Sequence, residues 1–245
     1  MAKGTTRGIA LAALGTIAVA AWALRLASRL PACDAGPDRE PGNDPETSSL
    51  ARAATAETAR HPGRTGLHLL SDGLDAFAAR LLLVRAAEAT LDLQYYIWHG
   101  DRTGTLLLEA LHAAAERGVR VRLLVDDNGI AGLDRVLAAL DGHPRIAVRI
   151  FNPFRIRFPK AVGYLVDFHR LNRRMHNKSV IVDGAVTVIG GRNIGDEYFG
   201  AGDGALFADL DVLAVGSAVG AVADDFERYW CAASAYPAAQ ILAPV

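Results

Sequence analysis

Met175-His176-Asn177-Lys178-Ser179-Val180-Ile181-Val182-Asp183, followed by Gly190-Gly191-Arg192-Asn193, decides how this 245-residue chain is read. The pattern is H-x-K-x4-D-x6-G-G-x-N, and its residue types belong together chemically. Residues two apart in a strand point to the same side, so His176 and Lys178, at the entrance of a strand beginning near Ser179, share a face. An imidazole there can act as nucleophile at phosphorus or as general acid, and an ammonium supplies a compact positive charge for phosphoryl oxygens. Asn193 adds an amide donor, while Gly190 and Gly191 let backbone N–H groups approach an anion that a side chain would fend off. Asp183 has a second reading: with Gly184 it makes a hairpin turn between Ser179 to Val182 and Ala185 to Ile189, which the backbone alone explains.

Upstream, Leu91, Leu93, Tyr95 and Ile97 alternate with Asp92, Gln94 and Tyr96, a strand running into the polar loop His99 to Thr103. A helix follows over Gly104 to Arg117, with Gly118 as its cap, and Val119 to Val125 reads as a buried strand entering Asp126, Asp127 and Asn128. Leu133 to Leu140 is a further helix and Ile146 to Ile150 a further strand. Strands alternating with covering helices predict an α/β sheet with parallel pairs, whose ligands gather at strand ends. Before them, a first helix capped at Ser71 is expected to bury Leu74, Phe77, Ala78, Leu81 and Leu82.

Between the last of these strands and the motif, Asn152 to Arg174 holds Arg155, Arg157, Lys160, Arg170, Arg173 and Arg174 against one acid, Asp167. Phe151, Phe154, Phe158, Tyr164 and Phe168 are interleaved with them, a mixture suited to phosphate head groups and acyl chains, or to a nucleic acid backbone. A solvated face over ordinary core aromatics is the plain alternative.

At the N-terminus, Lys3 and Arg7 precede an uncharged stretch from Gly8 to Leu24, closed by Arg25 and Arg29. At about 17 residues it lies between a short spanning helix and a long signal-peptide core. Residues 1–33 are therefore expected to be a membrane anchor or signal segment, with Leu30-Pro31-Ala32-Cys33 similar to a lipidation box. Residues 34–66, rich in Pro, Gly, Asp, Glu and Thr, read as a flexible linker, and 67–245 as the folded domain. The composition, 51% hydrophobic and 22% charged, is that of a globular protein and excludes collagen-like and wholly disordered chains. A net charge of -1 gives no overall basic field, so a polyanion would have to meet a local patch. Only Lys3, Lys160 and Lys178 among the 26 basic residues are lysines. Two cysteines, Cys33 and Cys231, support neither a disulfide framework nor a four-ligand zinc site.

The motif resembles the HKD signature of the phospholipase D superfamily. The resemblance extends over roughly residues 66–236 and is strongest to bacterial cardiolipin synthases: Leu91-Asp92-Leu93-Gln94-Tyr95-Tyr96-Ile97-Trp98, Arg120 to Asp127, Phe151-Asn152-Pro153 and Gly190 to Phe199 are all similar to the first half of those chains. It implies a phospholipase D-like α/β fold, a mixed sheet with helices on both faces, here preceded by the apolar N-terminal helix. It further implies a phosphatidyltransferase of phospholipid metabolism working through a phosphohistidine on His176, with no metal and no other cofactor. In that scheme Lys178 and Asn193, with Gly190 and Gly191, bind the substrate phosphate and Asp183 supports the motif's geometry. The expected partners are a phospholipid and the membrane, with nucleic acid disfavoured by the overall charge, and the expected location is a bacterial membrane or envelope.

The chain departs from that pattern in one respect: such synthases carry two HKD motifs, and here only His176 is followed by Lys at the second position. Two copies pairing in a homodimer would supply the second motif; otherwise the chain is a truncated, inactive half of a two-motif enzyme. A single-motif dimeric phosphodiesterase or nuclease is the alternative activity. Asp196, Glu197, Asp209 and Asp211 are the candidates for a carboxylate that fixes the tautomer of His176. Asp126 and Asp127 resemble metal ligands, but no His or Glu spacing completes a site.

Overall fold

The computed structural model describes residues 15–26, 29–33, 42–202 and 206–245. In chain order its elements begin with helix α1 (15–26), α2 (Ser49–Thr58), strand β1 (Thr65–Leu70), α3 (Gly73–Ala86), β2 (Thr90–Ile97) and α4 (Arg102–Glu116). They continue with β3 (Arg120–Gly129), α5 (Asp134–Asp141), β4 (Ile146–Phe151), α6 (Ala161–Leu171), β5 (Ser179–Val182) and β6 (Val186–Gly190). The last are α7 (Asp196–Phe199), β7 (Asp211–Gly216), α8 (Ser217–Trp230), β8 (Ala235–Pro237) and α9 (Ala238–Ile241). The chain divides into two compact units: Met1–Ala32 with Phe154–Arg173, and Cys33–Pro153 with Arg174–Val245.

The larger unit is a mixed eight-stranded sheet in the order β1-β7-β6-β5-β2-β3-β4-β8. β2, β3 and β4 are parallel, joined by the crossover helices α4 and α5, and the remaining pairings are antiparallel. Because side chains alternate along a strand, the register separates two covered faces. Tyr95 of β2 and Asp211 of β7 turn toward α3, where both meet Arg80. Ile181 and Leu124 turn the other way, into an apolar cluster with Val219, Phe226 and Trp230 of α8 and Met175. The expectation of a mixed α/β sheet with parallel pairs is met. The polar members of the β2 alternation, Asp92 and Gln94, are nevertheless buried because both faces are covered.

Beneath α3 lies an ion network without solvent. Arg80 donates to the Tyr95 hydroxyl (2.9 Å) and to Asp211 Oδ2 (2.9 Å), and Arg192 donates to the same carboxylate (3.3 Å) and to the carbonyls of Leu70 and Ser71. All three charged side chains are buried. Such a cluster is tolerated only because nearly every donor is matched to an acceptor.

That network corrects the register of the first helix. Asp72, not Ser71, caps α3, and the buried residues are Ala76, Arg80, Leu83 and Val84, while Leu74 and Leu82 are 60% and 63% exposed. A leucine-based stripe mispredicts the face because the polar Arg80 has its partners inside.

The described part of the stretch read as a linker also carries structure. Ser48 caps α2 by accepting the N–H of Ala51, and α2 lies against β6 and β7. Its inward side is made of small residues such as Ala51, which leave no strong hydrophobic periodicity in the sequence. The strand expected to end at Val125 continues as β3 to Gly129, so Asp126 and Asp127 lie in the sheet. The β5–β6 hairpin has three loop residues, Asp183 to Ala185, with Asp183 and Gly184 both left-handed (φ 50° and 60°).

In the smaller unit, α1 covers the second part of the apolar stretch 8–24, while residues 1–14 lie outside the described residues. Among the described residues, no helix is long and apolar enough to cross a membrane. α6 is kinked at Asp167 (φ -141°, ψ 39°). Phe154, Tyr164 and Phe168 form an aromatic row with ring centroids 5.3 and 6.1 Å apart, and Lys160 stands 5.8 Å over the Phe154 ring.

Candidate active site

The site forms at the entrance of β5, where the alternation expected of the H-x-K segment is realised. Asn177 turns to α8 and donates to Asp225 Oδ2 (2.7 Å). Its neighbours His176 and Lys178 turn together the other way: Lys178 Nζ donates to the carbonyl of His176 (2.6 Å) and lies 3.2 Å from its ring nitrogen Nδ1. The imidazole is exposed and the lysine buried. Burial lowers the pKa of Lys178 from its ordinary value, and the Asp209 carboxylate partly opposes this.

Tyr96, at the end of β2, completes this corner. Its ring lies 4.8 Å from that of His176 and 5.5 Å from Lys178 Nζ, a stacking wall and a cation–π partner in one residue. The hydroxyl of Tyr96 accepts from Asn128 (3.3 Å). Asn193 fixes the next residue, since its Oδ1 accepts the N–H of Ile97 (3.0 Å) and one Nδ2 hydrogen goes to the Tyr198 hydroxyl (2.9 Å). Burial, together with the charges of Glu197 and Asp209, pushes the Tyr198 phenol up. His176, Lys178, Tyr96, Asn193, Tyr198 and Asp209 thus form one connected corner.

The segment entering the motif is held from below. Asp126, fully buried within β3, accepts the N–H of Met175 (2.9 Å), the N–H of Asn128 (2.8 Å) and Arg174 Nη1 (3.0 Å). Arg174 also donates to the carbonyl of Asn152, and Met175 is buried in the α8 cluster. Burial raises the pKa of Asp126, and Arg174 with the two amides works against that rise. A sequence search for catalytic types passes over Asp126, Arg174, Tyr96 and Tyr198. The signal available for Asp126 was its position at the end of a buried strand.

Other residues of the motif lie elsewhere. Asp183 follows the far end of β5, seven positions beyond His176. Its carboxylate accepts the N–H groups of Glu88, Ala89 and Thr90, fastening the turn that leads into β2. The places a Cβ would take at Gly190 and Gly191 are filled by Asp211 and Asp209, and the N–H of Gly191 is spent on the carbonyl of Leu210. These glycines admit the chain leading into β7. Of the four acids weighed as partners of His176, Asp211 is locked between Arg80 and Arg192, Asp196 accepts from Thr103, and Glu197 pairs with His99 (3.0 Å). Asp209 acts on the site through Lys178, and both Asp209 and Glu197 act on Tyr198.

His99, Asp101 and Glu197 could between them hold a metal ion, with ligand atoms within 4.8 Å of one another. Asp101 spends its carboxylate on the amides of Gly104 and Asp196. A cleft of about 950 Å³ between α2, the β5–β6 turn and the start of α8 is lined by Asp183 and so lies at the wrong end of β5 for this chemistry. What these side chains offer is a nucleophilic or acidic imidazole, a desolvated ammonium and an amide donor.

Comparison with known proteins agrees with the geometry. Residues 82–230 match the family described as "Cardiolipin synthase, PLD-like domain". The chain is 60% identical over 193 residues to cardiolipin synthase C of Escherichia coli (strain K12), covering 79% of this chain and 41% of that protein. It is 36% identical over 171 residues to the major cardiolipin synthase ClsA of Bacillus subtilis (strain 168), covering 68% and 33%. The chain therefore spans about two-fifths or less of the length of these relatives. Among solved structures, phosphatidylserine synthase of Haemophilus influenzae Rd KW20 matches with a TM-score of 0.56 at 13% identity, over 80% of this chain and 45% of that one. NucT from Helicobacter pylori matches with a TM-score of 0.52 at 13% identity, over 71% and 98%. At that identity the two structures speak for the fold alone.

Proposed function

Because the chain belongs to the cardiolipin synthase family with a phospholipase D-like domain, we propose that it transfers a phosphatidyl group from one phospholipid to a hydroxyl of another. The observation that carries this reading is the pairing of His176 with the buried ammonium of Lys178 at the end of β5. A lone pair on His176 Nε2 attacks the donor phosphorus, and the bond to the leaving alcohol breaks as a second histidine protonates its oxygen. In the return step that second histidine takes the proton of the acceptor hydroxyl, whose oxygen displaces His176 and restores the diester. Lys178 holds the phosphoryl oxygens, and Asn193 offers its remaining amide hydrogen.

Lys178 also governs the tautomer. With Nδ1 accepting from the ammonium, the neutral imidazole carries its proton on Nε2 and has no nucleophilic lone pair there. A phosphate that draws Lys178 away frees Nδ1 to take the proton and exposes the nucleophilic lone pair on Nε2. Substrate binding and activation of the nucleophile then become one event.

The second histidine comes from a second copy of the chain or from the other half of a two-motif enzyme. Residues 1–33 serve as anchor, and the domain works at a bacterial membrane or envelope. The test is the mass of the full chain in detergent, coupled to a phosphatidyl-transfer assay on wild type and His176→Ala. A dimer whose EDTA-resistant turnover vanishes in the variant supports the paired-motif enzyme. A monomer without turnover overturns it in favour of a half that needs its complement.

A further inference from the structure

The two most exposed large apolar side chains among the described residues both lie between β4 and the motif: Phe158 is 92% exposed and Leu165 81%. Phe168, one helical turn beyond Leu165, is more than half exposed. Between Phe154 and Arg173 the sequence also places Arg155, Arg157, Lys160, Arg170 and Arg173 against a single acid, Asp167, which is itself paired with Arg170. The same compact unit contains Met1–Ala32, whose described helix exposes Ile17, Val19 and Trp22.

Water gives no reason to hold a phenyl ring and a leucine outward on a small unit that already has an aromatic row to bury them against. Basic side chains alone would suit any polyanion. Leu165 has no π-face on which a nucleic acid base could stack, whereas acyl chains accept Leu and Phe alike. We infer that the Phe154–Arg173 segment docks on an anionic bilayer, with Phe158, Leu165 and Phe168 entering the boundary between headgroups and acyl chains. Arg155, Lys160 and Arg173 lie among the headgroup phosphates. The choice of a bilayer over another polyanion rests on the phosphatidyl-transfer reading. In sequence the segment ends one residue before Arg174-Met175-His176.

The test reads the segment itself, because the apolar leader alone can hold the chain on vesicles. Full-length Phe158→Trp is compared with wild type in phosphatidylglycerol–phosphatidylcholine vesicles brominated on the acyl chains, the difference isolating residue 158 from Trp22, Trp98 and Trp230. The extra emission is expected to fall by about twofold, less in pure phosphatidylcholine or at high salt. Unquenched emission in anionic vesicles overturns the inference. So does emission that responds to a single-stranded oligonucleotide and not to lipid, which would assign the surface to nucleic acid. The readout needs no turnover, so the same quenching in a His176→Ala background keeps docking apart from any failure of the proposed reaction.

Discussion

Asp126 accepts the backbone N–H of Met175 at 2.9 Å, one residue before His176, from a position with no solvent access. The segment carrying His176 is thus hung on a buried carboxylate. Asp126→Ala leaves the Met175 amide and Arg174 without their acceptor and should cost about 3 kcal/mol of stability or more. Asp126→Asn keeps an acceptor and the shape of the site. It should fold, with kcat reduced roughly 10- to 100-fold and KM little changed, because His176 is displaced while the phosphate site remains. Steady-state kinetics beside a thermal melt check both; unchanged kcat in a folded Asp126→Asn protein would remove the positioning role.

Lys178 predicts the alkaline side of the pH profile. Burial lowers its pKa from 10.5, so activity that needs the ammonium should fall before the ordinary lysine range is reached. Asp209→Asn removes the opposing negative charge and should move that limb to lower pH. Lys178→Arg, which stays charged, should abolish the limb while lowering the rate at least about 10-fold through altered geometry. For stability the sign is set by the unfolded chain. Between the lowered folded value and 10.5 it binds more protons, so this group makes stability rise with pH across that window. A pH–rate series on the three proteins decides.

Asp211 is predicted to be a stability residue. Asp211→Ala leaves Arg80 and Arg192 buried without their shared carboxylate and should cost about 3–5 kcal/mol, a fall in Tm on the order of 10 °C. A calorimetric scan measures it directly. A melting point within a degree or two of wild type would mean that water reaches the network on removal of the acid.

Asp183 should separate architecture from chemistry. Asp183→Asn tolerates the left-handed backbone and keeps one acceptor, costing about 1–2 kcal/mol; Asp183→Ala adds backbone strain and loses all three amides, and should cost more. The folded fraction of either variant should keep near wild-type KM. Kinetics normalised to folded protein, by circular dichroism, test this.

Much of this was legible in the chain. The strands and helices from Leu91 to Ile150 announce themselves by periodicity and capping residues, and the motif placed His176 and Lys178 side by side through the period of two. What escaped has a common cause. Arg80 and Asp211 look like surface charges until the fold brings them together across 131 positions. α2 buries Ala51, which carries too little apolar area to register as a stripe. Asp126 reads as the loop after a strand and Tyr96 as a polar-face position of one, and their bearing on His176 exists only once β2, β3 and β5 are neighbours. Asp183, Gly190 and Gly191 stand out in the motif, yet their partners are the protein's own backbone and carboxylates.

The strand order has a consequence for how the chain is made. β1 emerges early yet pairs only with β7, and Thr65 and Ser217, whose hydroxyls meet at 2.9 Å, are 152 positions apart. At ordinary elongation rates this strand waits on the order of ten seconds for its partner, with its backbone N–H and C=O groups unpaired. The β2–β3–β4 block, whose contacts are local, can assemble meanwhile on the ribosome. Closure of the β1 edge should then be the late step, and the nascent chain is most exposed to chaperones and proteases between those two moments.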